Sequence, residues 1–182
     1  FVGATTLRIH EIGYENRAPT AVELSRMVEL AREAMEEGAV GVASALIYAP
    51  AFYAETEEMI ALASAVAPYG GIYASHMRSE GDRLLEAFDE FLTITHEAGC
   101  PGEIYHLKAA GESNWSKLDE LIARVEASRH DGVRVTADIY TYTAGSTGLD
   151  AAMPPWVQAG GYGRWRSQLL KPDVRERVLA EM

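Results

Sequence analysis

His76 and His106 are the two residues of this sequence best suited to bind a metal ion. Each ends an apolar, β-branched segment, over residues 71–76 and 102–106, and they lie 30 positions apart. Neighbouring parallel strands are about 4.8 Å apart, so histidines at equivalent strand ends can converge on one point. Imidazole is a common zinc ligand, and a catalytic zinc site uses three protein ligands and a water. The pair therefore predicts part of a zinc site, unless both rings are structural residues of a non-catalytic barrel fragment or binding module.

Lys108 adds a cationic group beside the second histidine. It lies two residues after His106, and strand alternation would place both side chains on one face of a sheet. Its ammonium could bind a substrate carboxylate through charge-assisted hydrogen bonds. A lysine at a strand end could alternatively form a Schiff base, as in a barrel aldolase. The aldolase alternative leaves the two neighbouring histidines without a role.

A repeated strand-and-helix unit positions these residues. Three apolar runs start at positions 71, 102 and 133, so consecutive starts are 31 positions apart. A period of this length matches one strand, one helix and two loops. The predicted strands cover residues 39–46, 71–76, 102–106 and 133–140, and a weaker fifth covers residues 2–9.

The segments between these runs carry helical periodicity. Thr20 and Glu23 form a capping-box pattern ahead of an apolar stripe, and Gly38 predicts the end of that helix. Because strands and helices alternate, the sheet should be parallel and covered by helices. Further helix caps are predicted at Thr56, Ser79 and Asn114.

Two folds consist of consecutive βα units, the open doubly wound sheet and the closed (β/α)8 TIM-type barrel. No glycine-rich GxGxxG or GxxxxGK turn, typical of nucleotide-binding sheets, is present. Polar residues instead follow every predicted strand, where a barrel builds its active site. We therefore predict an α/β fold in which residues 1–182 form one domain, the central part of a barrel, since a full barrel needs about 250 residues. The strand-end residues are Ser44, Tyr48, His76, Arg78, His106, Lys108, Asp138, Tyr140 and Tyr142.

The composition is that of a globular protein with an acidic surface. Hydrophobic residues make up 48% of the chain, and its net charge is −11. Nucleic-acid binding is not expected, because phosphate contacts need clustered Lys and Arg. A membrane span is not expected either, because no apolar run approaches the roughly 18 residues required. The single cysteine, Cys100, excludes an internal disulfide and precedes a predicted strand, at the end remote from the histidines.

Several stretches in series resemble the D-aminoacylase (N-acyl-D-amino-acid deacylase) family of the amidohydrolase superfamily. They include SHMRSEG at residues 75–81, HLKAAG at residues 106–111 and DIYTYTAGST at residues 138–147. Their order and spacing match across nearly the whole chain. The resemblance implies a zinc-dependent (β/α)8 barrel that hydrolyses the amide bond of N-acyl-D-amino acids, a small-molecule substrate.

The resemblance also implies roles for individual residues. His76 and His106 match the strand-end histidine ligands of the tightly held Zn²⁺, and Tyr48 and Lys108 match residues that hold the substrate carboxylate. Arg78 is a further anion-binding candidate, with a structural salt bridge to Glu80 or Asp138 as its alternative. The remaining residues expected along the substrate pocket are Tyr140, Tyr142 and Ser146.

Some residues that the family pattern requires do not occur in this sequence. The HxH pair after the first strand, an upstream cysteine ligand and the aspartate that acts as general base have no counterpart here; Asp138 belongs to a different motif. Thr141 replaces a proline that is usual in that motif, and Ala4 stands where relatives often carry histidine, which suggests a subgroup. We therefore expect an internal piece of a longer polypeptide, with no catalytic base within it and a downstream aspartate in that role. The cytoplasm is the favoured compartment.

Overall fold

The computed structural model describes residues Phe1–Met182. Five parallel strands form one sheet in the order β1-β2-β3-β4-β5, so each strand pairs with the next along the chain. A doubly wound sheet would reverse its strand order at a switch point, and this sheet does not. The strands are β1 (Val2–Gly3), β2 (Gly41–Ala45), β3 (Ile72–His76), β4 (Gly102–Ile104) and β5 (Val135–Ala137).

Helices connect the strands, and the helices between β1 and β5 each pack against the next one in a layer outside the sheet. This arrangement is part of a (β/α)8 barrel, as the strand-end chemistry predicts. None of the helices has the length and apolar character needed to cross a membrane. The helices are α1 (Ala4–Glu11), α2 (Ala21–Glu36), α3 (Thr56–Val66), α4 (Leu84–Ala98), α5 (Lys117–His130), α6 (Pro155–Gln158), α7 (Gly161–Gln168) and α8 (Pro172–Glu181).

The predicted strand over residues 2–9 is wrong beyond its first two residues. The chain enters helix α1 at Ala4, and the buried residues of that helix are Ala4, Leu7 and Arg8. These positions follow the i, i+3, i+4 spacing of a helix face rather than the alternation of a strand. The strand predicted over residues 133–140 is also shorter in the structure, where β5 has three residues.

The helix caps divide into one correct prediction and three wrong ones. The Thr20 hydroxyl accepts a 3.3 Å hydrogen bond from the Glu23 amide, while the Glu23 carboxylate accepts one of 2.7 Å from the Thr20 amide. This capping box satisfies two amides that the first turn of α2 would otherwise leave free. Thr56, Ser79 and Asn114 are not N-caps, because α3, α4 and α5 are preceded by Glu55, Arg83 and Ser116 respectively.

The core lies between the sheet and the helix layer. Tyr73 of β3 stacks on Phe91 of α4 with ring centroids 5.8 Å apart, and both side chains are buried. Gly102 of β4 permits this close packing, since a Cβ atom there would lie 2.4 Å from the Phe91 ring. A glycine in this strand therefore sets how closely α4 approaches the sheet.

Ser44 faces the helix layer rather than the strand-end site that the sequence suggests. Its hydroxyl lies 2.7 Å from the Tyr73 hydroxyl and 3.0 Å from that of Ser75. Burial raises the pKa of Tyr73 to about 12, so the three hydroxyls form a neutral buried network. Because side chains alternate along a strand, His76 lies on the opposite, inner face from Ser75.

Candidate metal centre

His76 and His106 converge at the carboxyl ends of β3 and β4. Their ring centroids lie 4.5 Å apart, with the ring planes at 80°. His76 is the last residue of β3, whereas His106 lies two residues beyond the end of β4. Its φ of 42° is in the left-handed region, and its amide donates a hydrogen bond to the Asp138 carboxylate. A turn anchored by Asp138, rather than strand register alone, therefore places the second histidine.

Glu80 completes a cluster with the two histidines. Its Oε1 atom lies 2.9 Å from Nδ1 of His106 and 3.6 Å from Nε2 of His76. The potential ligand atoms of the three residues all lie within 4.8 Å of one another. The sequence interpretation considered Glu80 only as a partner for Arg78. Its position four residues after His76, in the loop that leaves the strand end, is the signal that could have identified it.

The donor set fits a zinc ion. The Nε2 atom of His76 is buried and has no hydrogen-bond partner, which is costly for a polar atom. Burial lowers the pKa of His76, and this favours the neutral imidazole that a metal requires. Two imidazoles and one carboxylate are a common protein ligand set for catalytic zinc. A cation bound here would satisfy the unpaired nitrogen.

Lys108 is held inside this cluster. Its Nζ atom lies 2.6 Å from Oε1 of Glu80, 2.8 Å from Nδ1 of His106 and 3.1 Å from the His106 carbonyl oxygen. The expected proximity of Lys108 to His106 is therefore present. Its cause is the tight turn after β4, because the strand ends at Ile104 and its alternation does not extend to these residues.

Hydrogen bonds outside the metal cluster connect the loops that carry Glu80 and Lys108. The Ala110 amide donates to the Glu80 carbonyl at 2.7 Å, and the Asn114 side-chain amide donates to the Ala110 carbonyl at 2.9 Å. Lys117 in turn donates to Asn114 Oδ1 at 2.6 Å and to the carbonyl of Asp82 at 2.8 Å. Asn114 is buried, and its two hydrogen bonds link the loop that carries Lys108 to Lys117 at the start of α5.

A cavity of about 270 Å³ opens beside the cluster. The Tyr48 ring lines this cavity, with its centroid 5.3 Å from that of the His76 ring. The Tyr48 hydroxyl lies 2.8 Å from the Thr147 hydroxyl. The Tyr140 ring lies 5.4 Å from the Lys108 ammonium. The residues that line the cavity are Ile47, Tyr48, His76, Glu80, His106, Lys108, Tyr140, Gly145, Ser146, Thr147 and Ala151.

Arg78 and Tyr142 are not brought into this cavity. The Arg78 guanidinium forms a bidentate pair with Glu90, with both distances 2.8 Å, and also donates to the carbonyls of Phe52 and Ala54. Arg78 lines a separate groove of about 670 Å³ between the starts of α3 and α4. Its partner is neither Glu80 nor Asp138, the two carboxylates named from sequence. Tyr142 is 79% exposed.

Cys100 is a free thiol at the amino-terminal side of β4, remote from the cluster, as its sequence position indicates. Its side chain is buried, and burial raises the pKa of the thiol. A buried neutral thiol is neither a ready nucleophile nor a metal ligand.

Curated proteins similar to this chain are deacylases. The D-aminoacylase of Alcaligenes xylosoxydans xylosoxydans is 40% identical over 150 residues, which are 81% of this chain and 30% of that protein. The N-acyl-D-glutamate deacylase of the same organism is 36% identical over 146 residues, and its N-acyl-D-aspartate deacylase is 38% identical over 152 residues. No protein-family model matches the chain.

Solved structures of the same kind share the fold. A D-aminoacylase crystal structure, described as defining a novel subset of amidohydrolases, is 36% identical with a TM-score of 0.74 over 78% of this chain and 30% of its own. The N-acyl-D-glutamate deacylase of Bordetella bronchiseptica is 33% identical with a TM-score of 0.73, over 76% of this chain and 29% of its own. That structure contains zinc and a phosphonate inhibitor that mimics the tetrahedral reaction intermediate.

The similarity confirms the family resemblance and the partial amidohydrolase barrel. The chain spans about 30% of the length of the curated relatives it matches. Over about 80% of its own residues, this chain is homologous to D-aminoacylase and to the N-acyl-D-glutamate and N-acyl-D-aspartate deacylases.

Proposed function

We propose that these 182 residues form the central βα units of a zinc-dependent amidohydrolase that cleaves the amide bond of N-acyl-D-amino acids. The observation that carries the proposal is the convergence of His76, Glu80 and His106 on one point, with Lys108 in the same cavity. The names of the three curated relatives, all deacylases of N-acyl-D-amino acids, support the choice of reaction.

His76 and His106 would hold the zinc ion through ring nitrogens, with the Glu80 carboxylate available as a third ligand. A bound zinc ion would supply Lewis acidity, polarising the amide carbonyl and lowering the pKa of a water molecule toward neutral. Asp138 anchors the His106 amide, so its carboxylate is already engaged in positioning a ligand. We propose that the general base, which takes a proton from water, is an aspartate outside these 182 residues. The family resemblance of the sequence motifs implies this aspartate.

Lys108 and Tyr48 would bind the carboxylate of the substrate. An ammonium and a phenol are both hydrogen-bond donors, and both line the cavity next to the histidines. Tyr140 and Ser146 would line the same pocket from the segment that follows β5. For Arg78 we propose a structural role, because its guanidinium is already paired with Glu90.

The Schiff-base aldolase is not favoured. Lys108 already donates to the Glu80 carboxylate at 2.6 Å, so its nitrogen is engaged within the cluster rather than free to attack a substrate carbonyl. A binding module with structural histidines is also not favoured, because structural histidines have both ring nitrogens satisfied and His76 does not. We further propose that residues 1–182 belong to one catalytic barrel, located in the cytoplasm, that takes a small-molecule substrate and no nucleic acid.

The proposed function is tested with the full-length polypeptide that contains this segment. Purified with zinc, it should hydrolyse N-acetyl-D-methionine much faster than the L-enantiomer. Activity should disappear on treatment with a chelator and return with added zinc. A His76→Ala variant that keeps its fold should lose both zinc and activity, while an exposed-site control, His96→Ala, should keep them. Zinc-independent turnover, or full activity in His76→Ala, would overturn the proposal.

A further inference from the structure

We propose that the Lys108 ammonium and a bound metal ion compete for Glu80 and His106, so that loading the metal releases Lys108 into the cavity. The inference rests on the proposed zinc site and concerns how two of its groups are coupled. It gives Lys108 two alternating partners, an internal carboxylate in the metal-free protein and the substrate carboxylate in the metal-loaded one.

The first support is that Lys108 uses the same atoms as the metal cluster. The ammonium carries three N–H groups, and three acceptors surround it: Glu80 Oε1, His106 Nδ1 and the His106 carbonyl oxygen. Two of those three acceptors, Glu80 Oε1 and His106 Nδ1, are also the atoms that lie 2.9 Å apart in the His–Glu–His cluster. The ammonium is therefore placed within the donor set and not merely near it.

The second support is chemical. A nitrogen lone pair that accepts a hydrogen bond from an ammonium is not available at the same time to a metal ion. If Nδ1 of His106 and Oε1 of Glu80 bind a metal, Lys108 must leave both atoms. Repulsion between the ammonium and a divalent cation acts in the same direction, because Glu80 is 9% exposed and Lys108 only 25% exposed.

The third support is that the cavity offers the released ammonium a place. The Tyr140 ring is already 5.4 Å from Nζ, and an aromatic face attracts a cation. Tyr48, the other proposed carboxylate donor, lines the same cavity. Metal binding would therefore free the group that binds the substrate carboxylate. By thermodynamic linkage, a bound carboxylate would also strengthen metal binding, because it would hold Lys108 away from Glu80.

The first test measures zinc affinity in the full-length protein by competition with a chromophoric chelator. Lys108→Met should bind zinc at least about tenfold more tightly than the wild type, since the competing charge is gone. Lys171→Met, the same substitution at an exposed position, should bind zinc like the wild type. Equal or weaker zinc binding by a folded Lys108→Met variant would overturn the competition while leaving the zinc site itself intact. A wild type that binds no zinc would overturn both proposals.

The second test uses the wild-type protein, so it does not depend on the folding of a variant. Lysines are acetylated briefly with a limiting dose of an amine-reactive ester, with and without zinc, and each site is quantified by peptide mass spectrometry. Zinc should increase labelling of Lys108 severalfold relative to Lys171, because the amine leaves its ion pair with Glu80. Unchanged or reduced labelling of Lys108 in the zinc-loaded protein would contradict the proposal.

Discussion

The Nζ atom of Lys108 lies 2.6 Å from Oε1 of Glu80, although the two residues are 28 positions apart and belong to different βα loops. The Glu80 side chain is almost fully buried, and the same oxygen lies 2.9 Å from a ring nitrogen of His106. One carboxylate thus links the proposed metal ligands to the proposed substrate-binding cation. A substitution at Lys108 should therefore weaken mainly substrate binding, and a substitution at Glu80 should weaken mainly metal binding.

Changing Lys108 to Met in the full-length polypeptide should impair substrate binding more than metal loading. Loss of a charge-assisted hydrogen bond to the substrate carboxylate should raise KM about 10- to 100-fold. At saturating zinc, the zinc content per chain of the variant should stay near that of the wild type. Steady-state kinetics and metal analysis measure the two effects, with Lys171→Met as the matched control. Loss of zinc with an unaffected KM would refute the role assigned to Lys108.

Changing Glu80 to Gln should weaken zinc binding. The substitution keeps the size of the side chain but removes the charge that faces His76 and His106. Losing a charged group that ligates or orients metal ligands typically costs about 10- to 100-fold in affinity. Chelator competition measures the change, and Glu86→Gln is the control, because Glu86 is exposed and pairs with Arg83 at the surface. Equal zinc affinity in the two variants would exclude Glu80 from the metal site.

Changing Gly102 to Ala should destabilise the fold. The added Cβ atom would lie 2.4 Å from Cζ of Phe91 and 2.6 Å from Cγ2 of Thr95, so α4 must shift away from the sheet. Overpacking of this kind costs about 1–3 kcal/mol of unfolding free energy. Urea denaturation followed by circular dichroism measures the loss. Gly163→Ala is the control, because apart from adjacent residues and the backbone of its own helix no atom lies within 4 Å of the Cβ position there. A similar loss in both variants would argue against the packing described for Gly102.

Cys100 should react slowly with iodoacetamide while the protein is folded. Its thiol is buried, and burial raises its pKa, so less thiolate is present at a given pH than in the unfolded chain. In urea the pKa returns to its ordinary value and the thiol becomes accessible, so alkylation should accelerate at least about a hundredfold near pH 8. Peptide mass spectrometry measures both rates. Rapid alkylation of the native protein would place this cysteine at the surface.

The 182 residues expressed alone should show helical circular dichroism, weak unfolding cooperativity and no deacylase activity. In this chain β1 and β5 each pair with a single neighbour, which leaves two strand edges unpaired. The inner face of the sheet also lacks the further strands that complete the packed layers of a barrel. Thermal melting and an assay with N-acetyl-D-methionine test this expectation. A sharp two-state melt together with zinc-dependent turnover would show that the chain is self-sufficient.

The sequence was informative where one local signal determines the structure. The 31-residue spacing of apolar runs identified four strands and their parallel order, and the Thr20–Glu23 pattern identified the start of α2. The weak fifth run was misassigned, because a short segment with Leu7 buried and Ile9 exposed carries too few positions to separate helical from alternating periodicity. Packing of the α1 face formed by Ala4, Leu7 and Arg8 favours a helix over a strand in this segment.

The site was predicted only in part, because its geometry depends on contacts between loops. His76 could be placed from strand register, whereas His106 needed the Asp138 anchor and a positive φ that no local pattern indicated. Glu80 was overlooked although it follows His76 by four residues, because its contacts with His106 and Lys108 come from the next βα unit. Arg78 shows the opposite case, since its strand-end position suggested substrate binding and its partner is Glu90 of α4.

A crystal structure of the zinc-loaded full-length protein, with data collected on both sides of the zinc absorption edge, tests the central claim most directly. We predict an anomalous peak with ring nitrogens of both His76 and His106 within about 2.3 Å of it, near the Glu80 carboxylate. Zinc located away from both imidazoles, or bound to only one of them, would contradict the account.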